Sequence, residues 1–193
     1  MNASQDSVGA RCPPQADAPT NTKKEEFMTL KGKVFKFGDD ISTDLIAPGR
    51  YFHLRSNLPE MAKHVLEDAD TTFASKVQKG DFVVGGENFG LGSSREHAPT
   101  IIKLAGVSAV LAKSFARIFY RNSINVGLPA LICDTDKISA GDELEVDLEK
   151  GEIKDLTNGA TLTFAPLPKA MIHILNDGGL IDHIQKHGDF KLD

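Results

Sequence analysis

The residues Gly90-Leu91-Gly92-Ser93-Ser94-Arg95-Glu96-His97 stand between an apolar run at 82–85 (Phe-Val-Val-Gly) and a second at 98–105 with a different period. The first run is short, β-branched and flanked by Lys79-Gly80-Asp81, which reads as a buried strand. In the second, Ala98, Ile101, Ile102 and Ala105 recur at spacings of three and four, with Gly106 placed to end a helix. A strand, a glycine-rich turn and a helix in that order form one α/β unit.

Working outward, apolar runs at 109–112 and 130–133 read as strands, with 113–121 helical between them. Strands alternating with helices favour an α/β class with parallel pairing. Upstream, residues 31–37 read as a strand and 41–46 as a polar loop beside a short strand. Segments 58–67 and 73–77 read as helical, the first opened by Asn57 and Pro59. Downstream, short runs at 143–148, 152–156 and 161–164 are separated by Lys150-Gly151 and Asn158-Gly159, which predicts hairpins. Helical pieces at 171–175 and 180–184 flank Gly178-Gly179. Residues 1–30 have no hydrophobic period and are expected to be a disordered tail, with Met28 near the start of the functional part and one domain over 31–193.

A formal charge of −5 argues against a nucleic-acid partner, whose phosphates require a basic face. No run reaches the roughly 20 apolar residues of a membrane span, and the N-terminus lacks the apolar core of a signal peptide. A cytoplasmic location is therefore expected. Cys12 and Cys133 are the only cysteines, too few to ligate an iron-sulfur cluster alone.

Several motifs fail in the central loop. Arg95 stands where a dinucleotide fingerprint needs its third glycine, no lysine is present for a P-loop, and neither serine has the flanking glycines of a hydrolase elbow. No His-Glu-x-x-His or Cys-x-x-Cys metal motif occurs. Ser93 and Glu96 have the spacing of a capping box, so a plain capped helix start is one reading. It leaves Arg95 and the two glycines unexplained. Free N–H groups at a helix start, with the planar donor fork of Arg95, suit a small carboxylate or phosphate, and a serine in that field can act as a base. His97 is expected to orient its neighbours. Arg117 and Arg121 fit either a substrate contact or an interface, and Asp39, Asp40 and Asp44 a cation or plain solvation. The segment 50–57, with Arg50, His53 and Arg55, has the composition of a ligand-contacting loop.

Three stretches, Gly-Asp-Asp-Ile-Ser-Thr-Asp-Leu-Ile at 38–46, Gly-Ser-Ser-Arg-Glu-His-Ala at 92–98 and Lys-Ser-Phe-Ala-Arg-Ile-Phe-Tyr-Arg-Asn at 113–122, closely resemble the small-subunit family of 3-isopropylmalate dehydratase, which belongs with aconitase and homoaconitase. The resemblance runs from about Gly32 to the C-terminus. It implies a swivelling β/β/α domain like the mobile C-terminal domain of aconitase, paired with a large subunit that holds a 4Fe-4S cluster. By motif position it implies Ser93 as catalytic base, and Arg95 and Ser94 as substrate-binding groups. The implied reaction is reversible dehydration of a branched hydroxy dicarboxylic acid, with iron acting on the departing hydroxyl while Ser93 takes the adjacent proton. Substrate choice in the family rests largely on the loop after Gly-Arg-Tyr. His53 here takes the place of a homoaconitase-type arginine, and Arg55 follows two residues on. With Phe52 and Leu54 this fits isopropylmalate, in leucine biosynthesis, or alternatively 2,3-dimethylmalate or citramalate/citraconate. Leu91 departs from the cysteine of many relatives. Readings from other classes are a non-catalytic anion-binding module and an iron-responsive RNA-binding relative, the latter disfavoured by the acidic charge.

Overall fold

A computed structural model describes residues 29–188. Seven strands form one mixed sheet: β1 (Thr29–Lys36), β2 (Phe82–Val84), β3 (Ala109–Ala112), β4 (Ala130–Ile132), β5 (Glu143–Asp147), β6 (Glu152–Asp155) and β7 (Thr161–Thr163), in spatial order β4-β3-β2-β1-β5-β6-β7. The first four pair in parallel, with Val34 opposite Phe82, Phe82 opposite Ala109 and Val110 opposite Ala130. The last three form an antiparallel ladder that joins through β1, where Gly32 faces Leu144. Each expected strand is present. The Asn158-Gly159 turn is held by Asp155, whose carboxylate accepts from the backbone N–H groups of Thr157 and Asn158 and from Asn158 Nδ2.

The burial pattern explains why the two halves differ. β2 and β3 are buried at every position, as central parallel strands covered on both faces must be, whereas β5 alternates between buried and half-buried. Phe82, Val84, Ala109 and Leu111 join one apolar cluster with Val146, Ile153 and Leu162 of the antiparallel ladder. Val83, Val110 and Ala112 join the other, with Met61, Phe73, Ala98, Ile101 and Ile102 from the helical side. The result is a mixed sheet with helices around two apolar cores, the α/β class expected from the sequence.

Helices are α1 (Thr43–Ile46), α2 (Leu58–Ala62), α3 (Phe73–Lys76), α4 (His97–Leu104), α5 (Arg117–Asn125), α6 (Lys169–Asn176) and α7 (Leu180–His187), with 3-10 turns at Gly49–Leu54 and Thr135–Lys137. Three expectations need correction. The segment read as a polar loop at 41–46 contains α1, whose N-cap Ser42 accepts from the Leu45 N–H. The helix read at 58–67 is regular only to Ala62: the N–H groups of Lys63, His64 and Val65 bond three residues back, and Leu66, with a positive φ of 56°, then turns the chain. The helix read at 113–121 begins at Arg117, since residues 113–116 bond back to the loop after β2. The domain boundary expected at residue 31 lies inside β1, where Thr29 and Leu30 pair with Asp147 and Val146. The expected tail, including Met28 and Cys12, otherwise lies outside the described residues.

β1 passes so close to the turn before β2 that a Cβ on Gly32 would lie 2.2 Å from the Gly80 carbonyl oxygen, a backbone atom that cannot rotate away. Gly32→Ala is therefore expected to cost on the order of 3 kcal/mol, read as a lower denaturant midpoint at unchanged slope.

Candidate active site

The loop after β2 is fastened from two directions. From the N-terminal side, the Asp40 N–H donates to the Glu87 carbonyl (2.8 Å), the Gly90 N–H to Ile41 (2.7 Å) and the Thr43 N–H to Leu91 (2.7 Å). Thr43, only 2 % exposed, also donates through Oγ1 to the Ser93 carbonyl at 3.1 Å. Asp39 Oδ1 accepts from the Glu87 N–H and Asp40 Oδ1 from Asn88 Nδ2. These aspartates hold the loop through hydrogen bonds, a use beyond the solvation or cation binding read from the sequence. From the other side, the Phe89 N–H donates to Ser114, the Lys113 N–H to Gly86 and the Ala116 N–H to Phe89. Phe89, Phe115 and Phe119 stack beneath it, with ring centroids 5.3–6.1 Å apart. Gly90 must be glycine here: its φ is +78°, and a Cβ would meet the Phe119 side chain at 2.1 Å.

The capping box expected from Ser93 and Glu96 is not formed. α4 starts at His97, its N-cap Glu96 has helical backbone angles, and no side chain caps it. The Arg95 N–H instead donates to the Ser93 carbonyl at 2.8 Å, closing a turn ahead of the helix. The Ser93 and Ser94 side chains are exposed and make no hydrogen bond among the described residues. The backbone N–H groups of Ser93, Ser94 and Glu96 likewise find no acceptor there.

Arg95 does the opposite. Its Nη1 donates to the Ala47 carbonyl at 2.8 Å and its Nη2 pairs with Asp44 Oδ1 at 2.5 Å, leaving its side chain 19 % exposed. The remaining guanidinium donors stay available. Ala47 is the site residue that the sequence did not point to, while Asp44, read there as a cation-binding or solvated carboxylate, holds the Arg95 cation. Asp44 lay in plain view, but nothing in linear spacing tied it to Arg95, 51 residues away.

Residues 93–97 form one wall of a cleft of about 690 Å³ whose other wall is Gly49, Phe52 and Arg55. Ser93, Ser94, Arg95 and Arg55 are thus brought together. His53 is not among the lining residues; it is exposed, with Nδ1 3.1 Å from the Arg50 carbonyl. Arg55 lies over the Phe52 ring, 4.6 Å from its centre, so a cation and an apolar face are presented together. Arg50 is occupied elsewhere, pairing with Glu67 and Asp68. Arg117 and Arg121 are exposed on α5 and do not line the cleft.

Among the described residues no group of thiols stands ready to hold an iron-sulfur cluster. Cys133 is the only cysteine among the described residues, and burial, aided by Asp134, pushes its thiol up to about 12. A thiol that resists ionisation within the core is a poor iron ligand.

With this geometry in place, comparison with known proteins is decisive. The aconitase C-terminal domain model matches residues 40–135. The 3-isopropylmalate dehydratase small subunit 2 of Archaeoglobus fulgidus is 63% identical over 165 residues, covering 86% of this chain and 100% of that protein. The chain belongs to the 3-isopropylmalate dehydratase small-subunit family. The corresponding small subunit 1 of Thermotoga maritima is also 63% identical, over 83% of this chain and 98% of the relative. A crystal structure described as 3-isopropylmalate dehydratase from Methanocaldococcus jannaschii superposes with a TM-score of 0.79 at 48% identity, over 83% of this chain and 96% of that one. A small subunit from the same organism, 53% identical over 81% of this chain and 94% of the relative, is named for both isopropylmalate and citramalate. Membership in this family confirms the resemblance read from the three motifs.

His97 carries the site's one electrostatic oddity. Its Nε2 is buried with no hydrogen-bond partner among the described residues, and its pKa is lowered from 6.5 by desolvation and then by the Arg95 charge. The unfolded chain takes up this proton near 6.5 whereas the folded chain resists until lower pH, so stability contributed by the neutral ring falls as pH drops below 6.5. An NMR titration is expected to place the His97 midpoint below 6.5, and His97→Gln to reduce the loss of stability between neutral pH and pH ~5.

Proposed function

We propose that this chain is the small subunit of a hydro-lyase that interconverts 2- and 3-isopropylmalate by reversible dehydration, acting only when joined to a large subunit. Ser93 carries the reading: its hydroxyl stands free at the cleft beside a guanidinium anchored by Asp44 and Ala47. In the complex Ser93 Oγ takes the proton from the carbon next to the hydroxyl-bearing one as the hydroxyl departs, leaving the alkene; the isomer forms when water adds in the opposite sense, its hydroxyl to the carbon that lost the proton and a proton to the carbon that first bore the hydroxyl. An alkoxide is costly, and the Arg95 charge with the unpaired N–H groups of the same turn offsets that cost. Arg95 and Ser94 bind one substrate carboxylate. Arg55 faces them across the cleft as the partner of the second, and the Phe52 ring offers an apolar wall for a branched alkyl group.

A 4Fe-4S cluster would supply Lewis acidity toward the leaving hydroxyl, and the single, core-buried cysteine among the described residues supports a reading in which the large subunit holds it. The family's small-subunit designation supports that partner. Among the described residues no helix is long and apolar enough to cross a membrane, which accords with a cytoplasmic complex. A second reading, action on citramalate or citraconate, is favoured by the dual name of the Methanocaldococcus jannaschii relative. The Phe52 wall fits either alkyl group.

In the reconstituted complex, Ser93→Ala is expected to lower kcat at least about a hundredfold while leaving assembly intact, measured by steady-state hydration of isopropylmaleate. Unchanged turnover would remove Ser93 as the base.

The same assay separates the two candidate substrate contacts in and just after the 3-10 turn. Arg55→Ala is expected to raise KM by roughly tenfold or more, the value of one charge-assisted hydrogen bond, whereas His53→Ala, away from the cleft, leaves KM nearly unchanged. The reverse ranking would move the specificity contact back to His53.

A further inference from the structure

We propose that Asp177, His183 and His187 form a binding site for one divalent transition-metal ion of the zinc type, separate from the Ser93 cleft. Their donor atoms lie within 4.8 Å of one another, and among the described residues no other group of three such side chains converges in this way. Asp177 follows directly on α6, while His183 and His187 stand one turn apart on α7, so both imidazoles face the same side of one helix. Both reach the same carboxylate oxygen: His183 Nδ1 lies 2.7 Å and His187 Nε2 2.9 Å from Asp177 Oδ2.

Two nitrogens and one oxygen form a donor set suited to zinc or its neighbours, whose ligand bonds of about 2.0–2.2 Å require donor separations of about 3.0–3.5 Å. The two contacts to Asp177 Oδ2 would open by several tenths of an ångström, while the two imidazole nitrogens, within 4.8 Å of each other, would be set by the shift of His187. His183 and the Asp177 carboxylate are buried, with side chains 3 % and 7 % exposed, and cannot retreat into water. His187, 34 % exposed, gives the ion a way in and has room to shift. Lys186 pairs with the other oxygen, Oδ1, fixing the carboxylate as an outer partner does in metal sites and leaving Oδ2 for the ion. Each imidazole coordinates as a neutral ring, its proton on the nitrogen turned away from the carboxylate.

The location gives such an ion a structural role. It would tie the corner between α6 and α7 to the last turn of α7. That corner is already pinned to the domain body, because Lys103 Nζ donates to the carbonyls of Gly178 and Val126 at 2.8 and 2.7 Å. None of the three residues lines the Ser93 cleft, so occupancy is expected to alter stability and leave the chemistry untouched.

The test is a calorimetric zinc titration of the full chain after EDTA treatment and dialysis, repeated with cobalt(II) for its visible absorption. One ion per chain is expected, with the melting temperature rising by roughly 5–10 °C at a hundredfold excess over Kd. His187→Ala, at an exposed position, and Asp177→Asn should each weaken binding at least about tenfold and remove most of that rise. The metal-free melting temperature of each variant checks folding, and His187→Ala remains the readout if Asp177→Asn unfolds. Absence of saturable binding at micromolar zinc would overturn the proposal, as would binding that both folded variants retain.

Discussion

The fastening of residues 40–47 onto the loop after β2 is the constraint from which the active-site geometry follows. A glycine-bearing loop between a strand and a helix has many conformations, and ordering each residue costs roughly 1–2 kcal/mol of backbone entropy. Here the backbone bonds from Asp40, Gly90 and Thr43 run from loop to loop. The buried Thr43 hydroxyl then fixes the Ser93 carbonyl itself. The Arg95–Asp44 pair adds little to this in energy: Asp44 is 64 % exposed, and such pairs contribute about 0–1 kcal/mol. Its role is directional. With one guanidinium nitrogen on Asp44 and the other on Ala47, Arg95 cannot swing out to solvent, and its free donors stay in the cleft.

That arrangement explains why three stretches far apart in the chain resemble one family together. Residues 38–46 hold the outer edge of the loop, 92–98 form the loop and helix start, and 113–122 hold its inner edge through Phe89 and the aromatic stack. The parallel sheet makes this possible. β1, β2 and β3 lie side by side and run the same way, so the segments leaving their C-terminal ends emerge as neighbours. Ligand sites at the carboxyl ends of parallel strands are a general property of such sheets, and the proposed site lies at that position, with a serine and an arginine where other folds place glycines for a nucleotide.

Local signals carried most of the fold. All seven strands were legible because short apolar runs between Gly and Asn turns have few other solutions, and α4 and α7 because their apolar spacing is regular. The elements misread from sequence are those defined by distant partners. Residues 113–116 have helical composition but give their hydrogen bonds to the Gly86–Phe89 loop, which delays α5 to Arg117. Ser93 and Glu96 have capping-box spacing, but the tight turn from Ser93 to Arg95 and the anchoring of Ser93 to Thr43 displace the helix start to His97. The same displacement leaves the serine hydroxyls unengaged. For the site, chemistry-bearing residue types pointed to Ser93, Ser94, Arg95 and Arg55, which the cleft brings together. Asp44 was legible as a carboxylate for a cation, but its pairing with Arg95, like the role of Ala47, was not, because a side chain's partner 48 or 51 residues away leaves no periodic trace.

The exposure of Ser93 sets what this chain can do on its own. A serine reaches alkoxide character only where water is excluded, since in bulk solvent the surrounding donors lose most of their advantage to hydration. Ser93 and Ser94 are open to solvent, as are Phe52 and Arg55 across the cleft, so the isolated domain offers an oriented set of groups with no cover. A large subunit, as proposed, would meet two needs at once: it would bring the metal and cover the open side of the cleft. Orientation is thus built into this chain by Thr43, Asp44 and Ala47, while desolvation has to come from the partner. Under that proposal the serine would stay inert until both halves of the site meet.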